Sequence, residues 1–450
     1  MIEYRNLRVA LLGAGNVGSQ VASMLLEHGA ELAERAGAGL ELVGIAVRDP
    51  HAKRNTELPS ELFTTDAEQL IAGADIVIEL MGGLEPARSH ILHALNSGAD
   101  VITGNKALLA THGAELFDTA EQVGAQLFYE AAVAGAIPII RPLRESLAGD
   151  HINRIMGIVN GTTNFILDRM SRLGETQEQA LAVATELGYA EADPTADIDG
   201  FDAAQKAAIL AGLAFHANVP LESVYREGIR NVTLEQVESA ARAGFVLKLL
   251  AICERIETAD GSEGVSARVY PALIPNTHPL AAVHGAKNAV FIEADAAGDL
   301  MFYGAGAGGR ETASAVLGDV VSAARRHVIG GPGIAESHGA QVTILPIDQI
   351  VTRYSVRLRV NDRPGVLATI ATVFAEHGVS LETVEQTVAY PDTELGDATA
   401  SSDSGDTGST ATLVIGTHRA TEAALAATVE ALAVNDAVRA VDSVLRVEGL

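Results

Sequence analysis

The stretch LRVALLGAGNVGSQVASMLLEHG (residues 7–29) passes from an apolar run into three glycines. It then enters a segment whose apolar residues, Val21, Met24, Leu25 and Leu26, fall at helical spacing. Gly13, Gly15 and Gly18 therefore form G-x-G-x-x-G between a strand and a helix, the context that gives this pattern meaning. The first glycine permits a tight turn, the second lets a pyrophosphate approach the backbone, and the third lets helix and strand pack closely. The helix N-terminus adds amide donors and a partial positive charge for an anion. A glycine turn used only for packing is the alternative. The flanking elements favour a dinucleotide held by Gly13, Gly15, Asn16, Val17 and Gly18.

Outward from that turn, ELVGIAV (41–47) reads as a second strand and ends at Arg48 and Asp49. An acid there suits the ribose hydroxyl of NAD, whereas an arginine suits the 2′-phosphate of NADP. Arg48 comes first, with Lys53 and Arg54 nearby, so NADP is preferred and NAD remains open. Further strands, ADIVIEL (74–80), ADVITGN (99–105) and AQLFYEAA (125–132), alternate with helical segments such as EPARSHILHALNSG (85–98). The alternation predicts an α/β, Rossmann-type doubly wound parallel sheet over residues 1–140. Ligands in such sheets lie beyond the carboxyl ends of the strands, where Gly82, Gly83, Asn105, Lys106 and Glu130 fall. Lys106 could reach both cofactor and a carbonyl substrate, or could be a surface lysine.

Composition narrows the class. The 450 residues exceed what one core usually organises, and 48% hydrophobic with 20% charged residues describes a globular chain. A formal charge of −27 opposes nucleic acid and anionic membrane surfaces, so neither is expected as a partner. A lone cysteine, Cys253, excludes an intrachain disulfide. No leader and no stretch of eighteen uninterrupted apolar residues is evident, and a cytoplasmic location is expected.

Beyond residue 140, INRIMGIVNGTTNFILDRM (152–170) reads as strand, polar turn and helix, the turn serving at least as a cap. GYAEADPTADIDGFDAAQKAAILAGLAF (188–215) then concentrates acids before a helix that is apolar nearly all round. On it Asp202 and Lys206 stand four apart and share a face. An exposed pair of this kind is worth only roughly 0.3–0.5 kcal/mol, but a lysine on a buried helix must be paired or line a cleft. Glu191, Asp197, Asp199 and Asp202 could recognise a substrate amino group while Lys206 protonates a developing alkoxide. A solvated acidic loop with a structural salt bridge is the alternative. FYGAGAGGRETASAVLGDVV (302–321) is a second glycine-rich turn that closes over a cofactor or merely turns tightly. Cys253, in FVLKLLAICERI (245–256), is expected on an amphipathic helix as a buried, inert thiol.

The C-terminal run YSVRLRVNDRPGVLATIATVFAEHGVSLETVEQT (354–387), followed by ATLVIGTH (411–418), EAALAATVEALAV (422–434) and VRAVDSVLRVE (438–448), spells βαββαβ, a ferredoxin-like sandwich. The intervening PDTELGDATASSDSGDTGST (391–410) is acidic and small, and is expected to be a flexible loop.

Taken in order, GAGNVG, VITGNKALLA, YEAAVAGAIPII, VNGTTNFIL, GYAEADPTADIDGFDAAQK and GAGAGGRETASAVLGDV closely resemble the monofunctional bacterial homoserine dehydrogenases, over roughly residues 7–340. The resemblance implies NAD(P)H-dependent reversible reduction of L-aspartate 4-semialdehyde to L-homoserine, in threonine, methionine and isoleucine biosynthesis. It implies Lys206 as proton donor with Lys106 assisting, Glu191, Asp202 and Asp197 at the substrate, and Arg48, Lys106, Gly188 and Gly308 at the cofactor. It further implies a sodium site at Glu130, Val133, Gly135 and Ile137, mostly through main-chain carbonyls. Residues 141–345 would form an α+β substrate-binding, catalytic and dimerisation domain, the chain returning to the nucleotide domain near 302–340. Residues 352–450 resemble the ACT domain, through the NDRPGVL turn, with Asn361 and Gly365 as candidates for a threonine effector; a domain that only dimerises is the alternative. A homodimer or homotetramer is expected. A non-catalytic NADP-binding amino-acid sensor is the competing reading, and a sensor has no need of two lysines placed to donate protons.

Overall fold

The structure, a computed structural model, describes residues 5–54, 56–258, 261–331, 340, 342–389 and 410–449. The expected flexible loop lies outside these residues up to position 409. The chain divides into two compact units. The first comprises residues 1–231, 249–270 and 283–344, and the second 232–248, 271–282 and 345–450. Short segments of the middle of the chain thus group with the C-terminal module, a finer division than contiguous domains would give.

In the first unit, strands β1 (Leu7–Leu12), β2 (Leu40–Ala46), β3 (Phe63–Thr64), β4 (Ile76–Glu79), β5 (Asp100–Thr103) and β6 (Leu127–Phe128) form a parallel sheet in the order 3-2-1-4-5-6. Helices α1 (Asn16–Glu27), α2 (Gly29–Ala36), α3 (Ala67–Ala72), α4 (Ala87–Asn96) and α5 (Lys106–Val123) connect them. The order reverses between β1 and β4, which opens the crevice where doubly wound sheets bind ligands.

The chain continues through β7 (Ile152–Ile158), α6 (Gly161–Leu173), α7 (Gln177–Glu186), α8 (Thr195–Ile198), α9 (Phe201–Phe215), β8 (Tyr225–Arg226) and α10 (Leu234–Arg242). It proceeds through β9 (Phe245–Glu257), β10 (Glu263–Pro275), β11 (Lys287–Ala294), β12 (Gly298–Ala305), α11 (Gly309–Ile329) and β13 (Thr343–Ile344). In the first unit β11 pairs antiparallel with both β12 and β7, and β7 pairs with β9. Helix α11 is the chain's return. Ala313, Val316, Val320 and Ala323 share one buried cluster with Leu7, Val9 and Leu11 of β1, Val21 of α1 and Ile76 of β4.

One expectation is overturned here. Cys253 lies on strand β9, not on a helix. Residues 247–253 are buried without alternation, the pattern of a strand covered on both faces, which helical and strand periodicity cannot separate in a short apolar run. The thiol is buried and its pKa is pushed up to about 12 by that burial, so it is inert in either geometry.

In the second unit β14 (Val351–Asn361), α12 (Val366–Glu376), β15 (Leu381–Ala389), β16 (Thr410–Thr417), β17 (Ala420–Thr421), α13 (Glu422–Ala433) and β18 (Val438–Val447) build the expected βαββαβ sandwich. Its sheet runs 15-16-14-18, all antiparallel. Val356, Leu358, Phe374, Leu413 and Leu425 share its core. Among the described residues no helix is long and apolar enough to cross a membrane.

Candidate active site

The glycine turn after β1 shows three separate physical uses of glycine. Gly13 has φ +99°, and a Cβ there would stand 2.7 Å from the Leu80 carbonyl oxygen. At Gly18 a Cβ would meet the Gly13 carbonyl at 2.1 Å. At Gly15 nothing lies within 4 Å, so the backbone is open to a ligand. Helix α1 begins at Asn16 with no side-chain cap, leaving its first amides available to an anion.

The second glycine-rich turn closes against the first. A Cβ on Gly309 would stand 2.7 Å from Asn16 Oδ1, one on Gly306 would stand 2.1 Å from Asn288 Cγ, and Gly308 has φ +136°. Gly188, with φ +76°, leads from α7 into the acidic loop.

At the end of β2, Arg48 and Lys53 are both exposed. Arg54 is committed instead. It donates to the carbonyls of Asp49, Pro50 and Ala52 and stacks over Phe63. Asp49 accepts from the His51 amide at 2.9 Å, a use internal to the turn.

Strand β5 ends just before Lys106, and α9 carries Asp202 and Lys206. The three meet in space. Lys206 Nζ donates to Asp202 Oδ2 at 2.7 Å and to the Val159 carbonyl at 2.6 Å, while Lys106 Nζ lies 2.9 Å from Asp202 Oδ1. Asn160 caps α6 by accepting from the Thr163 amide, and its Nδ2 donates to Asp197 Oδ1 at 2.6 Å and Asp202 Oδ2 at 2.9 Å. Asp202 and Lys206 are each 8% exposed, whereas the Lys106 side chain is 40% exposed, so the cluster opens to solvent at Lys106.

These contacts set the charges. Burial would push Asp202 upward, but the positive charges of Lys206 and Lys106 and the hydrogen bonds from Lys206 and Asn160 hold it well below the usual carboxylate range. Burial would lower the pKa of Lys106, yet Asp202, Asp197 and Glu191 outweigh it and raise it above its ordinary value. Asp197 moves the other way, raised by burial and by the charge of Asp202. Glu191 is exposed and acts through its charge. Asp199 does not join the cluster, because Arg230 engages both of its oxygens at 2.7 and 2.9 Å.

Glu130 is buried. Its carboxylate accepts from the amides of Ile139, Ile140 and Arg141 at 2.6, 2.8 and 3.0 Å. Ala134 and Gly135 both take left-handed φ, +57° and +60°, so the chain doubles back sharply between Val133 and Ile137. Among the described residues no group of three His, Cys, Asp or Glu could hold a metal ion, so a cation at this loop would rest on main-chain oxygens.

One positioning residue, Glu79, escapes a sequence reading, and a second, Asn105, is expected only to lie at the ligand edge of the sheet. Glu79, fully buried at the end of β4, accepts from the Met81 amide and from Thr103 Oγ1, both at 2.7 Å, and so shapes the loop beyond β4. Asn105 caps α5 and donates to the Gly83 carbonyl at 2.7 Å, which fixes the entry to Lys106. The only signal for Glu79 was an acid closing an apolar strand before Gly82-Gly83. A cavity of about 930 Å³ between α5 and α9 is lined by Leu109, Phe117, Phe201, Gln205 and Ala208, on faces that carry none of the three clustered charges.

In the second unit, the Asn361 side chain is spent within the fold. It donates to the Asp436 carbonyl at 3.1 Å and accepts from Arg439 Nε at 2.6 Å. Gly365, at φ +93°, starts α12.

Residues 13–130 match the family described as "Homoserine dehydrogenase, NAD binding domain", residues 138–321 the homoserine dehydrogenase family, and residues 354–414 the ACT domain. The homoserine dehydrogenase of Mycobacterium tuberculosis is 53% identical over 443 residues, covering 98% of this chain and 97% of that one. The crystal structure of a homoserine dehydrogenase from Thiobacillus denitrificans superposes with a TM-score of 0.88 at 37% identity, covering 99% of both chains. A hyperthermophilic archaeal homoserine dehydrogenase in complex with NADPH matches 73% of this chain and 99% of its own at 28% identity and a TM-score of 0.59.

Proposed function

Since the chain belongs to the homoserine dehydrogenase family, and is thereby an oxidoreductase acting on a CH–OH group, we propose that Lys206 and Lys106 together serve the reduction of L-aspartate 4-semialdehyde to L-homoserine. The observation that carries this reading is the pair of ammonium groups held by one carboxylate, Asp202, at the carboxyl edge of the nucleotide sheet. Two of the three Lys206 N–H donors go to Asp202 and Val159, which leaves the third for a substrate oxygen.

The bound nicotinamide supplies a hydride to the aldehyde carbon. Lys206 delivers the proton to the oxygen as negative charge develops there. Lys106, nearer solvent, stabilises the same oxygen and replenishes the proton, while Asp202 keeps both lysines charged. Glu191 and Asp197 receive the substrate's ammonium group.

Arg48 and Lys53 suit a 2′-phosphate while Asp49 is occupied within its own turn, which supports NADPH as the preferred reductant, with NADH as an alternative. A sodium ion would rest on the carbonyls of Glu130, Val133, Gly135 and Ile137, the Glu130 carboxylate being engaged by amides. The ACT domain supports feedback regulation by threonine, and the assembly would be a homodimer or homotetramer in the cytoplasm.

The test follows NADPH and NADH oxidation with L-aspartate 4-semialdehyde in wild type and Lys206→Ala at matched folding. Turnover by the wild type with a loss of about 10²-fold or more in the variant is expected. Equal rates would return Asp202 and Lys206 to a structural salt bridge.

A further inference from the structure

Glu130 and Arg141 bracket the loop that reverses at Ala134 and Gly135, and both are tied to one buried side chain of α11. Asp319 accepts from the Glu130 amide through Oδ2 at 2.9 Å and from Arg141 Nη2 through Oδ1 at 3.2 Å. The Glu130 carboxylate joins the same two ends again, since it accepts from the Arg141 amide at 3.0 Å and lies 3.2 Å from Arg141 Nε. Glu130 alone would close the loop only upon itself. Asp319 fixes the closed base to a helix of 21 residues. The residue before it makes room for this contact, because a Cβ on Gly318 would stand 2.6 Å from Arg141 Nη2. Glycine is a residue that a helix interior otherwise disfavours.

The tip of the loop is held by the segment that leads into the same helix. The Ala136 amide donates to the Ala305 carbonyl at 3.1 Å, and a Cβ on Gly135 would stand 2.3 Å from the Gly306 carbonyl oxygen. Residue 305 ends β12, and α11 begins at Gly309. Asp319 lies ten residues beyond Gly309, about 15 Å along the axis at 1.5 Å per residue. Tip and base are thus attached at two points along one stiff element, and α11 sets the spacing of the main-chain oxygens between them.

Those oxygens have a use. Val133, Gly135 and Ile137 are buried, and among the described residues their carbonyls accept no hydrogen bond. The Ala134 carbonyl, by contrast, accepts from the Ile137 amide at 3.1 Å. Buried carbonyls are seldom left unpaired, and a hard cation is a partner that takes such oxygens. We propose that Asp319 is a positioning residue for this loop. By holding residues 130 and 141 to α11 it presets the carbonyls of Val133, Gly135 and Ile137, and so sets the affinity for a monovalent cation without touching it. A loop ordered in advance leaves less ordering to be done on binding. The inference rests on the sodium reading given above and adds to it the residue that tunes the site.

Thermal unfolding of the full chain in sodium chloride tests it, with choline chloride holding the ionic strength and no nucleotide present. A ligand that binds the folded state raises Tm, so cation binding is read without turnover. The wild type is expected to gain Tm specifically with sodium. Asp319→Asn keeps one acceptor and turns an amino group toward the other partner, and should raise the half-saturating sodium concentration about 10-fold, as loss of a partner behind a metal ligand does. Arg141→Met, at a half-buried side chain, removes one tether without altering α11 and should move the midpoint in the same direction, so the test survives if Asp319→Asn does not fold. Ile91→Val, a small cavity on the distant helix α4, should lower Tm in both salts and leave the sodium midpoint unmoved. A lowered Tm with an unmoved sodium midpoint in the folded tether variants would make Asp319 a structural contact and overturn the proposal while the cation site stands. Absence of any sodium-specific gain in the wild type would overturn the site and the proposal together.

Discussion

Lys106 and Lys206 are bound to opposite oxygens of the same carboxylate, Lys106 to Asp202 Oδ1 at 2.9 Å and Lys206 to Oδ2 at 2.7 Å. The two ammonium groups come from different parts of the chain, one following a strand of the parallel sheet and the other on α9. A single anion thus sets both their spacing and their charge.

Removing that anion should move the alkaline limb of the reaction. Asp202 is the chief reason the Lys106 pKa is raised against the effect of burial, so in Asp202→Asn it falls and the ammonium is lost at lower pH. The alkaline limb of kcat/KM should shift toward neutrality, and an unmoved limb would refute the arrangement. Stability follows the same signs. Asp202, depressed in the fold, contributes above the ordinary carboxylate pKa of about 3.9 and loses that contribution in acid. The raised Lys106 contributes below about pH 10.4 and loses it as pH climbs past its folded value. At neutral pH the variant should be about 3–5 kcal/mol less stable, the typical cost of breaking a buried pair, read by denaturant titration.

Asn160 both caps α6 and donates to Asp197 and Asp202, and two variants separate these roles. Asn160→Ser retains a capping oxygen but cannot span to two carboxylates. Its thermal midpoint should stay near wild type while kcat/KM falls about 10-fold, one lost hydrogen bond to a charged group. Asn160→Ala should lose a further 1 kcal/mol or so of stability. Full activity in Asn160→Ser would reduce Asn160 to a cap.

Gly15 and Gly306 should fail in opposite ways. Gly15→Ala meets nothing within 4 Å in the protein, so Tm should hold while KM for NADPH rises. Gly306→Ala drives a Cβ to 2.1 Å from the fully buried Asn288 and should cost about 1–3 kcal/mol of stability, as overpacking does. Differential scanning fluorimetry beside NADPH titration distinguishes them, and a stable Gly306→Ala would contradict the packing of the second glycine turn.

Much of this was legible in the chain because the determinants are local. The glycine turn sits between its strand and helix within some twenty residues, and Asp202 and Lys206 lie one helical turn apart. The βαββαβ order could be read from alternation alone. What escaped was set by distant partners. Asp199 looked like its acidic neighbours until Arg230 claimed it, and Cys253 sits in a run whose burial on both faces erased the strand period. Glu79 acts through Thr103, twenty-four residues away, and no spacing rule connects them.

Helix α11 belongs to the core begun by β1, yet it leaves the ribosome about 200 residues after the last strand of the parallel sheet. At about 5–20 residues per second, synthesis of that interval takes roughly 10–40 s. Throughout it the apolar side chains of β1 and α1 that α11 will cover face water or a chaperone. The nucleotide half is therefore written first and finished late, and its burden during biogenesis is set by the distance in the gene between a sheet and the helix that seals it.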